Sequence, residues 1–223
     1  MTDNRHTAPR VLAGFEARLD LVEAGADVVA LWQVADLERH VDRRALLAGD
    51  DAPEPPYWAH LWSGARVLAA AIPPCAGRVV EFGCGLGLPG LAAARRGAAV
   101  TFVDRVRTPL EFVRASAAAN RIGHVDAVVA DLTAGAVTGR FDLVLLAEVL
   151  YDRAAFPAVA RAISAALAPG GCALLADGAR IDTRGFYPEL RALGLEVETT
   201  SHRVPAEGVM ETIALSRIRA PGH

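Results

Sequence analysis

The segment Arg78-Val-Val-Glu-Phe-Gly-Cys-Gly-Leu-Gly-Leu-Pro-Gly90 joins a short apolar run to a glycine-rich loop. The pattern predicts a buried strand over Arg78–Phe82 and a helix over Leu88–Arg96, which Gly97 ends. The turn between them contains three glycines, Gly83, Gly85 and Gly87. Glycine permits a tight turn and a close approach of a ligand to the backbone, and the following helix offers free N–H groups. The segment therefore predicts a site for a nucleotide-type cofactor.

The spacing of these glycines separates two classes of cofactor. Dinucleotide sites use G-x-G-x-x-G, but the residue in the third glycine position is Leu88. The observed G-x-G-x-G, with Cys84 inside it, fits enzymes that bind S-adenosylmethionine (SAM). Glu81, two residues before Gly83, agrees, because a carboxylate suits the cationic amino-acid end of SAM and would repel a pyrophosphate. A loop whose glycines only pack the helix against the strand is the structural alternative.

Carboxylates end the next two predicted strands. Asp104 follows Ala99–Val103 and lies 19 residues after Gly85, where a carboxylate can accept hydrogen bonds from both ribose hydroxyls of a nucleoside cofactor. Asp131-Leu132 follows Val125–Ala130, at the place where a SAM enzyme of this type makes its adenine contacts. The alternatives are a helix-capping role for Asp104 and an ordinary polar strand end at Asp131.

The remainder of the chain alternates strands with helices. Further strands are predicted over 141–146 and 172–176, and helices over 109–120, 156–167 and 186–193. This alternation indicates a parallel sheet with helices on both faces. The last two predicted strands, 195–202 and 211–218, have no helix between them, whereas a Rossmann dehydrogenase would continue with a helix. The sequence therefore predicts an α/β, Rossmann-like class I methyltransferase fold, with a mostly parallel seven-stranded sheet that ends in an antiparallel hairpin.

Residues 1–56 are predicted to be an N-terminal extension that packs on the core, and residues 57–223 to be the methyltransferase domain. Within the extension, 11–24 is compatible with an amphipathic helix, 27–33 with a strand and 49–56 with a loop. A helix is predicted over Trp58–Ile72, ended by two prolines. That helix would place Trp58 and Trp62 one turn apart, so both aromatic faces could serve a sulfonium or ammonium cation.

Composition excludes several classes of protein. The 223 residues carry a net charge of −3, which gives no electrostatic footprint for general nucleic-acid binding. No apolar run approaches the roughly 20 residues that span a bilayer, and the charges near the N-terminus leave no room for a signal peptide. The expectation is a soluble, cytoplasmic protein, and a monomer because heptads and repeats are absent. The three cysteines and the scattered histidines suggest neither a disulfide framework nor a metal site.

Three segments together resemble the seven-β-strand protein-lysine methyltransferases (methyltransferase family 16-like). They are Pro56-Tyr-Trp-Ala-His-Leu-Trp-Ser-Gly64, Glu81–Gly90 and Phe141-Asp-Leu-Val-Leu-Leu-Ala-Glu-Val-Leu-Tyr-Asp152. The resemblance covers roughly residues 55–218. The glycine loop is common to class I methyltransferases, but W-x-x-x-W-x-G combined with a tyrosine after the fourth strand is more specific. Bacterial members are often described as predicted protein or nicotinamide N-methyltransferases.

The resemblance implies SAM as the cofactor and assigns several residues to it. The implied SAM contacts are Trp62 with Trp58 close by, the loop residues Gly83, Cys84 and Gly85, the ribose carboxylate Asp104, and a backbone contact at Ala147. Leu132 stands where relatives often have a tryptophan, so stacking on adenine would be lost. The D-x-x-Y motif of the family aligns with Glu148-Val-Leu-Tyr151, where glutamate replaces aspartate and reaches one methylene further.

These features favour an N-methyltransferase whose acceptor is a protein lysine. Glu148 is expected to orient the incoming amine and Tyr151 to shape its channel, since both follow the fourth strand at the ligand-binding edge of the sheet. A lysine has a pKa of about 10.4 in water, so an apolar channel that lowers this pKa would help transfer. The alternatives are a small-molecule, nicotinamide-like N-methyltransferase and a non-catalytic SAM-binding module. A nucleic-acid methyltransferase is disfavoured because the usual proline pair after the fourth strand is absent.

Overall fold

The structure is a computed structural model that describes residues 10–40, 55–74, 77–135, 139–178, 180–206 and 208–221. Three N-terminal strands, β1 (Arg10–Leu12), β2 (Phe15–Ala24) and β3 (Asp27–Val34), form a small antiparallel sheet. The elements that follow are α1 (Ser63–Ala71), β4 (Arg78–Phe82), α2 (Leu88–Arg95), β5 (Ala99–Asp104), α3 (Arg107–Ala119), β6 (Asp126–Val129), β7 (Phe141–Ala147), α4 (Phe156–Ala166), β8 (Leu167–Asp177), α5 (Phe186–Ala192), β9 (Glu196–Ala206) and β10 (Val209–Arg219).

The main sheet has seven strands in the order β6-β5-β4-β7-β8-β10-β9. Strands β4 to β8 pair in parallel, whereas β10 is antiparallel to both β8 and β9. The carboxyl ends of the parallel strands therefore meet at one edge. The predicted class I methyltransferase fold and its C-terminal hairpin are confirmed. Strand β8 begins at Leu167 rather than at Cys172, and its pairing with β7 is irregular between Phe141 and Leu143.

Each face of the main sheet buries its own apolar cluster. On one face, α1, α2 and α3 contribute Leu68, Leu91 and Phe112 to a cluster that also includes Leu31 of the N-terminal sheet. On the other face, α4 and α5 contribute buried side chains that include Ile163 and Phe186. The central strand β7 is apolar along most of its length because both of its faces are covered. Within the described residues, no helix combines the length and the apolar character that crossing a bilayer requires.

The helix expected over 11–24 is wrong, because this segment forms β1 and β2. Two sharp turns enforce strands: Ala13-Gly14 joins β1 to β2 with both residues at positive φ, and Gly25, at φ +69°, begins the turn into β3. Within β2, Ala17, Val22 and Ala24 are buried against the core as strand residues, whereas Leu21 is exposed. The strand expected over 27–33 is confirmed as β3.

The helix expected over Trp58–Ile72 is confirmed over its C-terminal part, α1 (Ser63–Ala71), and is wrong over residues 58–62. Tyr57–Ala59 forms one 3-10 turn, and the chain then extends through His60 and Trp62 before α1 begins at Ser63. The two tryptophans therefore do not lie one turn apart on a common helix. The start of α1 is fixed from a distant part of the chain, because the backbone N–H of Gly64 donates to Oε1 of Glu148 at 3.1 Å.

Candidate active site

A cavity of about 680 Å³ opens at the carboxyl ends of β4, β5, β6 and β7. Nearly all of the residues singled out from the sequence line it, and Glu81 is the exception. The lining members of that set are Trp58, Trp62, Gly83, Cys84, Gly85, Gly87, Asp104, Asp131, Leu132, Ala147, Glu148 and Tyr151. The parallel topology explains this convergence, because residues that follow neighbouring parallel strands meet at the same edge of the sheet.

The loop requires glycine because Gly83, Gly85 and Gly87 all have positive φ, and a β-carbon at each would lie no more than 3.0 Å from a neighbouring atom. Gly85 has φ +48°, and a β-carbon there would lie 3.0 Å from the carbonyl oxygen of Trp58. Gly83 has φ +60°, and a β-carbon there would lie 2.8 Å from Cγ1 of Val149. The backbone N–H of Cys84 donates to the carbonyl of Val103 at 3.0 Å, which ties the loop to β5. The glycines thus let the loop pack closely against Trp58 and Val149, where a side chain would collide.

Glu81 lies beneath this loop instead of facing the cavity. Its side chain is 1% exposed, and Oε2 accepts a hydrogen bond from the backbone N–H of Gly90 at 2.8 Å. Burial raises the pKa of the carboxyl to about 8, and the Gly90 hydrogen bond offsets part of that rise. The direct contact with the amino-acid end of the cofactor, expected from the sequence, is therefore not available in this arrangement. Glu81 instead connects β4 to the first turns of α2.

The thiol of Cys84, in the glycine loop, is a second buried ionisable group. It lines the cavity, and burial raises its pKa further above the ordinary thiol value, with the neighbouring Glu81 and Asp104 adding to the rise. A thiol held in this state is a small apolar wall of the cavity rather than a nucleophile.

Asp104 joins two loops at the end of β5. Oδ2 accepts from the backbone N–H of Gly85 at 3.0 Å, and Oδ1 accepts from the backbone N–H of Val106 at 2.9 Å. Burial raises the pKa of this carboxyl, and the two hydrogen bonds oppose that rise. Each carboxylate oxygen can accept more than one hydrogen bond. Asp104 can therefore hold the glycine loop and still accept hydroxyl donors from a bound ribose.

The next strand end supplies a polar and an apolar residue side by side. Oδ1 of the exposed Asp131 accepts from both the backbone N–H and the hydroxyl of Thr133 at 2.7 Å, and these bonds lower the pKa of the carboxyl. Leu132 is partly buried against the apolar cluster of the α4–α5 face. Ala147, at the end of β7, completes this part of the wall. Asp131 and Leu132 together offer a hydrogen-bond acceptor and an apolar contact, both of which an adenine ring can use.

The two tryptophans have different surroundings. Trp58 packs between Phe15 of β2 and Phe112 of α3, with ring centroids 5.5 and 5.3 Å away. It therefore belongs to the core as well as to the cavity wall. Trp62 is more open: its Nε1–H donates to the carbonyl of Tyr57 at 3.1 Å, and the guanidinium carbon of Arg180 lies 4.1 Å from its ring centroid.

Glu148 is the most constrained residue at the end of β7. It has φ +57°, and its side chain is 4% exposed. Besides the Gly64 contact, Oε2 accepts from the backbone N–H of Gly178 at 3.1 Å and lies 3.0 Å from Nη2 of Arg180. Burial raises the pKa of this carboxyl, while the Gly178 hydrogen bond and Arg180 offset part of the rise. The carboxylate expected to orient a substrate amine is thus engaged by three groups of the protein itself.

Arg180 is a charged residue of this site that the sequence did not single out. It follows β8 in a loop without a recognisable motif, and arginines are common in this chain. Its position just after a parallel strand was the available signal, since ligand-binding residues follow such strands. Tyr151 lies nearby at the cavity mouth and is 56% exposed. Among the described residues, no group of three or more potential ligands is arranged to hold a metal ion.

The order of the strands and the C-terminal hairpin are those of the Rossmann-like fold of class I methyltransferases. Residues 79–171 match the family described as "Methyltransferase domain". Among solved structures, the N-methyltransferase NodS from Bradyrhizobium japonicum WM9, in complex with S-adenosylhomocysteine (SAH), superposes with a TM-score of 0.59 at 21% identity and covers 83% of this chain and 97% of its own. The glycopeptide N-methyltransferase MtfA complexed with SAM superposes with a TM-score of 0.57 at 19% identity. This match covers 71% of this chain and 93% of the MtfA chain. At these identities the likeness concerns the fold.

Sequence relatives point to a narrower group. The chain is 39% identical over 107 residues to the protein N-lysine methyltransferase METTL21A of Mus musculus, a match that covers 42% of this chain and 48% of the relative. It is 42% identical over 89 residues to the protein N-lysine methyltransferase METTL21A of Danio rerio, a match that covers 37% of this chain and 40% of the relative. The chain thus spans less than half the length of these curated relatives.

Proposed function

We propose that the protein is a SAM-dependent N-methyltransferase whose acceptor is a lysine side chain of a protein. The observation that carries the proposal is the convergence of the glycine loop, Asp104 and the end of β7 on one cavity. The similarity to proteins named as N-lysine methyltransferases supports the choice of acceptor. SAM supplies, when bound, a methyl group activated by its sulfonium.

The cofactor half of the cavity fits SAM on three counts. The glycine loop brings main-chain atoms of Gly83, Gly85 and Gly87 to the cavity wall, against which the methionine portion can lie. Asp104 offers carboxylate oxygens to the ribose hydroxyls. Asp131 and Leu132 border the place of the adenine. A pyrophosphate finds no matching cation among the loop residues, so a dinucleotide fits this half less well.

The acceptor half lies between the end of β7 and the exposed rings of Tyr57 and Tyr151, which are 53% and 56% exposed. Aromatic side chains can flank the aliphatic stem of a lysine while leaving its nitrogen free to approach the methyl group. The nitrogen must arrive uncharged, because its lone pair forms the new N–C bond as the C–S bond breaks. The proton that the amine loses leaves to water at the open mouth. The protein then contributes orientation and desolvation, as the reaction requires.

Glu148 acts in this proposal as a positioning residue. Its carboxylate is engaged by Gly64, Gly178 and Arg180, so it fixes the start of α1 and the loop after β8 on either side of the acceptor channel. This role replaces direct orientation of the amine, which the sequence alone suggested. Tyr151 keeps its proposed role in shaping the channel.

The test is transfer of label from isotopically labelled SAM to a cell lysate divided into protein and small-molecule fractions. We expect label in the protein fraction and, after digestion, on lysine. Asp104→Asn should weaken SAH binding by about tenfold or more, because an amide replaces one of the two acceptors with a donor. The exposed Asp126→Asn is the matched control and should bind SAH as the wild type does.

Each other outcome contradicts a defined part of the proposal. Label confined to the small-molecule fraction would indicate a small-molecule amine as the acceptor. SAH binding without transfer to either fraction would indicate a SAM-binding module without activity. Failure of the wild-type protein to bind SAH or SAM in a calorimeter would overturn the cofactor assignment itself.

A further inference from the structure

The guanidinium of Arg180 is held in a fixed place at the acceptor side of the cavity. Nη2 donates to the main-chain carbonyl of Glu148 at 2.9 Å and lies 3.0 Å from Oε2 of the same residue. The guanidinium carbon lies over the ring of Trp62, 4.1 Å from its centroid. Two contacts to one residue and one aromatic face leave the group little freedom, although the side chain is 35% exposed and lines the cavity.

Part of the guanidinium is available to a ligand. An arginine carries five N–H donors in a planar fork, and the hydrogen bonds recorded for Arg180 with described residues all use Nη2. Nε and Nη1 therefore keep N–H donors that point in different directions, and each can donate singly to a carboxylate oxygen. Such charge-assisted hydrogen bonds are among the stronger ones in proteins.

The same placement works against a bare cation. The open face of Trp62 is the natural place for an ammonium in this half of the cavity, and Arg180 already occupies it. An acceptor lysine that approaches as an ammonium finds this aromatic face filled and gains no cation–π contact there. An acidic residue beside the lysine can instead reach the donors of the guanidinium.

We propose that Arg180 is a specificity-determining residue that binds a carboxylate of the acceptor, so that the preferred acceptor is a lysine flanked by acidic residues. This inference rests on the proposed function. The carboxylate of the methionine portion of SAM is the other carboxylate that could bind to Arg180. The acceptor is favoured because Arg180 is anchored to Glu148 at the end of β7, whereas Asp104 and Asp131 hold the nucleoside portion at the ends of β5 and β6.

The first experiment measures binding without turnover. Fluorescent peptides with one central lysine, flanked by glutamates, by glutamines or by arginines, are titrated at low salt into the protein saturated with SAH. We expect the glutamate peptide to bind about tenfold more tightly than the glutamine peptide, and the arginine peptide to bind least. Arg180→Gln should reduce the preference to within about twofold, and Arg180→Lys should retain part of it.

The matched control is Arg153→Gln. Arg153 follows β7 and donates to the carbonyl of Asp182, but it does not line the cavity. Removing its charge should leave the peptide preference unchanged. If Arg180→Gln unfolds, the comparison of the three peptides on the wild-type protein still decides the matter.

Several outcomes would overturn the inference. They are equal binding of the glutamate and glutamine peptides, no binding of either at millimolar concentration, and a tenfold loss of SAH affinity in Arg180→Gln, which would assign the residue to the cofactor. Turnover with labelled SAM is measured separately on the same peptides. Selective binding of the glutamate peptide without methylation would support the carboxylate site and contradict lysine transfer, so the two proposals fail in different ways.

Discussion

At the scale of the residue, Glu148 shows how a single side chain connects distant parts of the site. Its carboxylate accepts the N–H groups of Gly64 and Gly178, which lie at the start of α1 and just after β8. Gly64 admits this contact because a β-carbon there would lie 2.5 Å from Oε1 of Glu148. The glycine of the W-x-x-x-W-x-G segment therefore makes room for the carboxylate of Glu148.

We predict that Glu148→Ala destabilises the protein by about 3 kcal/mol, because it leaves buried donors and the Arg180 guanidinium without their acceptor. The melting temperature measured by differential scanning fluorimetry should fall by roughly 6–12 °C. Glu148→Gln keeps one acceptor oxygen, so its melting temperature should lie between those of the alanine variant and the wild type. Glu211→Ala, on an exposed position of β10, is the control and should shift the melting temperature little. Equal melting temperatures for Glu148→Ala and the wild type would contradict the anchoring role.

At the scale of the element, polar side chains of α3 attach the N-terminal sheet to the core. The side-chain amide of Asn120, at the end of α3, accepts from the N–H of Ala30 at 3.0 Å and donates to its carbonyl at 2.6 Å. Oγ of Ser116 accepts from the N–H of Trp32 at 2.9 Å. The edge of β3 is thereby paired by side chains in place of another strand. This attachment also supports the cavity, because Phe15 of the same sheet packs on Trp58.

We predict that Asn120→Ala loosens β3 without unfolding the main sheet. Loss of both hydrogen bonds to Ala30 should cost about 2 kcal/mol, and the amides of β3 should exchange with deuterium faster than those of β7. Hydrogen exchange followed by mass spectrometry measures both strands in one experiment. Glu111→Ala, on the exposed side of α3, is the control. Faster exchange spread evenly over β3 and β7 would show that the effect is global instead of local.

At the scale of the whole molecule, periodicity predicted the part of the fold that is built from βαβ units. Strand β7 is apolar along most of its length because both of its faces are covered, and that pattern is readable without the structure. The segment 11–24 was misread because its apolar spacing fits a helix, while the turns at Gly14 and Gly25 make it two strands. The break after Tyr57–Ala59 depends on Glu148, 84 residues from Gly64, and no local pattern encodes it.

The site follows the same division. Asp104 and the glycine loop were predictable because their spacing is set by one strand–loop–helix unit. Glu81 points inward because it contacts α2, and Arg180 is held by its contacts with Glu148 and Trp62. Both positions depend on contacts between separate elements. Sequence spacing identifies which residues reach the edge of the sheet, but packing decides which atoms they contact there.

The buried carboxyls give the whole molecule a definite pH dependence. The pKa of Glu81 is raised from 4.5 to about 8, and burial raises the pKa values of Asp104 and Glu148 in the same direction. Between about pH 4.5 and pH 8 the folded protein keeps the Glu81 proton that the unfolded chain releases. The stabilisation is therefore complete below the unfolded pKa and is lost as the pH rises through the folded pKa.

We predict that the free energy of unfolding, measured with urea, falls by a few kcal/mol between about pH 5 and about pH 9. Glu81→Gln cannot ionise and can still accept the Gly90 N–H, so its unfolding free energy should depend less on pH and exceed that of the wild type at the alkaline end. Both proteins contain the same histidines, so the contribution of histidine titration cancels when the two unfolding free energies are subtracted. Glu111→Gln should follow the wild type at every pH. A wild-type stability that rises with pH, or a Glu81→Gln curve parallel to it, would show that Glu81 is ionised in the folded protein.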